Sequence, residues 1–303
     1  MSKKRDKKSK KLRKVKKDTS DYSEILLEVD ENKTLDKKLD DIDQMQIEKI
    51  DEKKIKTKDS DELKVAESVL DVETRTTLFN LRRKGVIEEF TGVISTGKEA
   101  NVYHAYAPNG NELAVKIYRT STNIFKGLQI YIIGDPRFAK IKRDQRSFVY
   151  AWAKKEFKNL SRAHKAGVIV PKPIANVKDV VVMEFIGKKG LPYRIMKEEK
   201  IKKPTKTYNE VLDNLHKLYT KAGLVHADLS EYNMLYTPKV VFIDISQAVL
   251  LDHPYADIFL YRDIKNITRY FKGLKVDVFE DDEVFENLTD ELPSDKVKTY
   301  DFD

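Results

Sequence analysis

The chain has 303 residues, 40% of them apolar and 36% charged, with no cysteine and a net charge of +8. That length holds one large or two modest domains around a real core, and the missing thiols exclude disulfides, thiolate metal sites and a cysteine nucleophile. No apolar run approaches the roughly 18 residues of a membrane span, and the basic start is not followed by an apolar stretch, so a cytoplasmic protein without membrane contact is expected.

The charge is unevenly spread. The first 17 residues carry eleven Lys or Arg against Asp6 alone, and residues 277–303 carry eleven Asp or Glu against Lys296 and Lys298. The basic block reads either as a solubilising terminus or as an RNA contact through residues 3–17. The acidic block reads as a solvated tail. Because residues 18–65 are dense in Lys, Asp and Glu, any helix there is marginal without a partner, and 1–65 is taken as a charged, largely disordered extension.

From Asp71 to Lys84 the pattern is a helix closed by Gly85, and Val86 to Val93 begins a strand. Asn101–Tyr106 and Glu112–Tyr118 form a hairpin around Pro108-Asn109-Gly110. An insertion over 119–143, with Phe125, Tyr131, Ile132, Ile133 and Phe138, reads as a packed loop or a partner-binding flap. Asp144–Ala166 is a long helix ended by Gly167, and Val180–Phe185 a buried strand. Thr207 and Glu210 make a capping box for a helix running to Ala222, and helix resumes from Asp263 to Phe271. Strands early and helices late predict an α+β chain of two lobes with a cleft between them, 66–186 and 187–276.

Within Leu224–Gln247, Asp228 and Asn233 stand five apart and Asp244 follows an apolar run. Two carboxylates and an amide are the hard oxygen donors that Mg²⁺ and phosphoryl transfer require. In this pattern Asp228 orients the attacking hydroxyl and accepts its proton, while Asn233 and Asp244 hold metal. His226 suits a packing and hydrogen-bonding strut better than a ligand or base.

Gly92 to Glu99 almost spells a Walker A loop. However, Glu99 replaces its hydroxyl and Asn101–Tyr106 alternates as a strand where Walker A needs a helix, so a phosphate-covering turn between strands is the better reading. Ala114-Val115-Lys116-Ile117 then supplies a lysine for the phosphates, with Glu156 the candidate to hold it. The backbone of Glu184 and Ile186, ending the strand between the lobes, is placed to bond adenine.

Together Ser95-Thr-Gly-Lys-Glu-Ala-Asn-Val-Tyr, Ala114-Val-Lys-Ile-Tyr, Leu224-Val-His-Ala-Asp-Leu-Ser-Glu-Tyr-Asn and Ile243-Asp-Ile-Ser-Gln resemble the RIO family of atypical protein kinases, type-one branch, over about residues 66–275. The resemblance implies a protein-kinase-like fold: an antiparallel N-lobe sheet with a long helix, and a reduced, mainly helical C-lobe. It also implies ATP bound by Ser95, Thr96, Gly97, Lys98, Glu99, Lys116, Glu156, Glu184 and Ile186, with Mg²⁺ or Mn²⁺ on Asn233 and Asp244. The implied activity is serine autophosphorylation or ATP hydrolysis, in maturation of the small ribosomal subunit, whose precursor rRNA and assembly proteins are the implied partners.

Compared with ordinary protein kinases, Ala227 replaces an Arg, Ile245 and Ser246 replace Phe and Gly after the metal acid, and no room is left for an activation loop. Two other functions fit parts of this pattern: a small-molecule phosphotransferase of the aminoglycoside-kinase type, and an RNA-binding assembly factor that uses nucleotide only as a switch.

Overall fold

The structure is a computed structural model that describes residues 70–120, 125–132, 134–138, 141 and 144–300. The extension assigned to 1–65, with its basic block, lies outside these residues.

A five-stranded antiparallel sheet, in the order β1-β2-β3-β5-β4, forms the N-lobe. Its strands are β1 (Glu89–Thr96), β2 (Ala100–Tyr106), β3 (Glu112–Tyr118), β4 (Pro173–Val177) and β5 (Val180–Glu184). Because side chains alternate across a strand, β3 serves two cores. Leu113, Val115 and Ile117 pack with Leu78 and Leu81 of helix α1 (Val72–Arg83), whereas Ala114 and Tyr118 join the core around helix α2 (Gln145–Lys165). Lys116 shares parity with that second set and pairs in register with Val102 and Val181.

Both flanking helices start as their caps predict. The Asp71 side chain accepts from the Thr74 N–H at 2.8 Å and Asp144 from the Ser147 N–H at 2.9 Å. Helix α2 buries Val149, Trp152, Ala153, Glu156, Leu160 and Ala163, a three-and-four spacing that puts a glutamate in the apolar stripe. The insertion is packed where it is described. Tyr131 stacks on Phe259 with ring centres 5.1 Å apart, and Phe138 lies 5.7 Å from Phe148.

The C-lobe is built on helices α3 (Pro204–Thr220), α4 (Ala256–Gly273), α5 (Asp281–Thr289) and α6 (Asp295–Thr299). Short ladders bracket the catalytic stretch: Leu224–Val225 pairs with Val249–Leu250, and Met234–Leu235 with Val241–Phe242. Asp228 and Asn233 therefore lie on a loop between two pinned segments, and Asp244 lies two residues beyond a third, Val241–Phe242. Among the described residues no helix is long and apolar enough to cross a membrane.

Three expectations are corrected. The capping box at Thr207 does not form, because α3 begins earlier with Pro204 in its first turn, and the Thr207 hydroxyl donates to the Lys203 carbonyl at 2.9 Å; proline's fixed φ suits the first helical position. The helix after Asp244 starts at Ala256 rather than Asp263, shortening the intervening segment further. The acidic segment is folded rather than solvated. Val284, Phe285 and Leu288 of α5 are buried, and Asp281, Asp282 and Glu283 occupy its first turn, where the helix dipole favours negative charge.

Candidate active site

Lys116 leaves β3 toward α2 and is 8% exposed. Its Nζ donates to Glu156 Oε1 and to Asp244 Oδ1, each at 2.8 Å. Burial alone would strip its charge, yet the carboxylates of Asp244 and Glu156 outweigh burial and hold the ammonium well above the usual lysine range. The second oxygen of Glu156 accepts from the buried Tyr118 hydroxyl at 2.5 Å. Glu156 is thus fixed at both oxygens.

Asp244 has a half-exposed side chain. Partial burial raises its pKa, but the Lys116 ion pair and the hydrogen bonds from Lys116 and Ser246 prevail, so its carboxyl stays below the usual range. Asp228 is shifted the other way, by burial and by the Asp244 charge, against a bond from Asn233. One carboxylate is thus held in its ionised form and the other is made more basic, the pairing that a cation ligand and a proton acceptor would respectively require. Asn233 is tied to Asp228: its Nδ2 donates to the Asp228 carbonyl at 2.7 Å and to Asp228 Oδ2 at 2.9 Å.

The glycine loop is a strand–turn–strand. The Gly97 N–H donates to the Ala100 carbonyl at 2.9 Å, and a Cβ at Gly97 would sit 3.0 Å from that oxygen. Ser95, Thr96, Gly97 and Lys98 are exposed on this turn, open to a ligand. Glu99 points its charge inward; burial and the nearby Asp244 carboxylate raise its pKa, with Lys116 opposing. Glu184 and Ile186 stand apart from this cluster. The Glu184 N–H donates to the Lys172 carbonyl at 2.8 Å, and the Ile186 carbonyl accepts from the Tyr193 N–H at 3.1 Å.

His226 is a strut. Fully buried, its Nε2–H donates to the Ile243 carbonyl at 3.2 Å, while Nδ1 has no partner. Burial pushes its pKa down to about 4, so the ring is neutral. A folded-state value below the unfolded 6.5 gives stability that is complete above pH 6.5 and lost as pH falls toward 4, amounting to about 2 kcal/mol by pH 5. In urea unfolding, the stability gap between wild type and His226→Gln should therefore narrow by about that much between pH 7.5 and pH 5. A gap independent of pH would contradict a neutral buried ring.

Sequence reasoning missed the groups behind this cluster. Asp263 of α4, entirely buried, accepts from the Ala227 N–H through Oδ2 and the Leu229 N–H through Oδ1, both at 2.8 Å. Burial pushes its carboxyl up to about 7 against those two bonds. Arg262 donates to the Ala227 carbonyl, and Asn266 Nδ2 to the Leu229 carbonyl at 3.2 Å. Three neighbours on one helix therefore grip the backbone on both sides of Asp228. Ala227 sits at φ 64° and Asp244 at φ 54°, left-handed conformations that non-glycine residues keep only when their surroundings hold them.

The RIO domain model matches residues 101–284, more than half of the chain. The chain belongs to the RIO family. It is 42% identical over 240 residues to the RIO-type serine/threonine-protein kinase Rio1 of Haloferax volcanii, covering 79% of this chain and 82% of that one. To the serine/threonine-protein kinase RIO1 of Homo sapiens it is 43% identical over 238 residues, 77% of this chain and 42% of the human one. It thus spans most of the archaeal relative and under half of the human one.

Among solved structures, the Rio2 kinase of Chaetomium thermophilum in an ADP/Mg²⁺-phosphoaspartate complex matches with a TM-score of 0.53 at 20% identity, over 71% of this chain and 66% of that one. That likeness shows the two-lobed fold. This RIO protein is an atypical serine/threonine kinase of the Rio1 type, in which Lys116 is bonded to both Glu156 and Asp244, and Asp228 to Asn233.

Proposed function

We propose that the chain transfers the γ-phosphoryl group of Mg²⁺-bound ATP to a serine hydroxyl, including its own, or to water. It acts in the cytoplasm on the precursor of the small ribosomal subunit, in contact with rRNA and assembly proteins. The chemistry rests chiefly on Lys116 held 2.8 Å from both Glu156 and Asp244 beside the Asp228–Asn233 pair. The ribosomal setting rests on the resemblance to the type-one branch, and the RNA contact on residues 3–17.

The metal fits the donors. Among the described residues no group of three or more His, Cys, Asp or Glu forms a metal site unaided. Mg²⁺ in phosphoryl-transfer sites is held by one or two carboxylates together with phosphate oxygens and water. Asp244 offers the carboxylate. Asn233 has its Nδ2 committed to Asp228, which leaves Oδ1 as its ligand atom. Mn²⁺ takes the same hard oxygens. When bound, the metal supplies neutralisation of charge on the transferring phosphoryl group.

Lys116 neutralises the α- and β-phosphates, and Glu156 keeps its ammonium from swinging away. The turn Ser95-Thr96-Gly97-Lys98-Glu99 covers the phosphates, while backbone groups of Glu184 and Ile186 meet the adenine edge. Asp228 orients the acceptor hydroxyl or water and takes its proton. Positioning and charge supply most of the rate in such reactions.

Single turnover with γ-labelled ATP, with and without small-subunit precursor, separates the possible acceptors. Label is expected on serine of the chain and as free phosphate, with both yields at least about 10²-fold lower in Asp228→Asn. Label on neither would leave a nucleotide-switched assembly factor or a phosphotransferase whose small hydroxylated acceptor is absent from the assay. Deleting residues 1–17 should weaken RNA binding and flatten its salt dependence; unchanged binding would remove the tail from the RNA contact.

A further inference from the structure

The insertion between β3 and α2 takes no part in the chemistry above, yet one of its side chains is connected to the loop that carries Asp244. Asp135, 8% exposed, grips the Arg137 guanidinium with both oxygens: Nε lies 2.9 Å from Oδ1 and Nη2 lies 2.6 Å from Oδ2. A fork held this way is rigid. Its remaining arm, Nη1, donates to Asn159 Oδ1 on α2 at 2.9 Å.

That bond sets the orientation of a buried amide. With Oδ1 committed to Arg137, Asn159 Nδ2 faces the carbonyls of Ile245 and Ala248, both at 3.0 Å. Lys155 takes the two carbonyls between them, Ser246 at 2.9 Å and Gln247 at 3.1 Å. Four successive carbonyls after the metal acid are therefore bound by two side chains of α2. Ser246 then closes the path, its hydroxyl donating to Asp244 Oδ1 at 2.9 Å.

We propose that Arg137 is a positioning residue for the metal-binding loop, acting through Asn159 on the carbonyls of Ile245 and Ala248 and thereby on the placement of Asp244. The inference rests on the reading of Asp244 as a metal ligand. Two observations favour this role over simple anchoring of the insertion. Asn159, Ile245 and Ala248 are each fully buried, so a turned amide would leave the Ala248 carbonyl unpaired away from water and the Ile245 carbonyl with only the Ala248 N–H, at 3.3 Å. Asp244 also occupies a left-handed backbone at φ 54°, which depends on its surroundings.

Three variants of the full chain test this: Arg137→Ala, Arg137→Lys and Asn159→Asp. The first readout is amide hydrogen exchange over 244–248 without metal or nucleotide, with α4 as internal control. The second is Mn²⁺ binding by electron paramagnetic resonance in the presence of ADP. Arg137→Ala should speed exchange in the loop at least about tenfold, the size a lost buried hydrogen bond implies, and leave α4 unchanged. Mn²⁺ affinity should fall about tenfold, as when a group supporting a metal ligand is removed, with metal-free ADP binding unaltered.

Arg137→Lys should recover part of both effects. Asn159→Asp keeps a partner for Arg137 but cannot donate to the carbonyls, so it should loosen the loop at least as much as Arg137→Ala; anchoring of the insertion alone predicts a normal loop in Arg137→Ala. Unchanged loop exchange in Arg137→Ala, or acceleration spread equally over α4, would overturn the proposal. Should Asn159→Asp not fold, the two Arg137 variants still decide. Unchanged Mn²⁺ binding in Asp244→Asn would instead defeat the metal reading, while the exchange result in metal-free protein continues to judge the relay.

Discussion

Asp244→Asn is expected to lower phosphoryl transfer from ATP by about 10²- to 10³-fold while leaving a folded protein. Asparagine keeps the size of the side chain and one acceptor for the Lys116 ammonium and the Ser246 hydroxyl, both of which now meet Oδ1. What disappears is the negative charge. Lys116 is left with Glu156 as its ion-pair partner among the described residues, and the proposed cation site loses the carboxylate that the Lys116 pair keeps ionised. Because the Asp244 side chain is half exposed, the stability change should stay within about 1 kcal/mol. Titrating Mg²⁺ during autophosphorylation should show a higher half-saturation as well as a lower plateau. Turnover and Mg²⁺ dependence matching wild type would remove Asp244 from the metal site.

Lys116 could be read from sequence because β3 alternates: Leu113, Val115 and Ile117 need one core, which leaves the lysine facing the other. The Asp228, Asn233 and Asp244 spacing was equally legible, since chemistry demands those side chains close together on one loop system. The signal for Glu156 is its place in the stripe Val149, Trp152, Ala153, Leu160, Ala163. A charged residue in an apolar stripe has to find a buried partner.

The same signal lay unused at Asp263, which follows Leu260 by three residues and precedes Ile264 and Ile267 on the buried face of α4. Charge density hid α5. Its acidic residues dominate the composition, while Val284, Phe285 and Leu288 carry the packing. The Thr207 box failed because a nearby proline sets the helix start. The route from Arg137 to Ile245 had no local signal at all, since it joins residues distant in sequence through geometry that only the folded chain contains.

Asp263→Asn should cost on the order of 2–5 kcal/mol of folding stability and also slow the chemistry. Above pH 7, where it is ionised, the fully buried carboxylate accepts from two backbone N–H groups, one at each oxygen. An amide offers one acceptor and turns its NH₂ toward the other N–H, so a buried donor loses its partner and meets a second donor. The damage falls on Ala227 and Leu229, the residues on either side of Asp228. Ala227 at φ 64° is then held only by Arg262 at its carbonyl, and relaxation toward an ordinary backbone would carry the Asp228 carboxylate away from the acceptor. A displacement near 1 Å costs about 10²-fold in rate. Urea unfolding and single-turnover kinetics at a temperature where the variant is fully folded separate the two effects. A variant as stable as wild type, or one that is destabilised but transfers phosphate at the normal rate when folded, would show that Asp263 does not hold the catalytic loop.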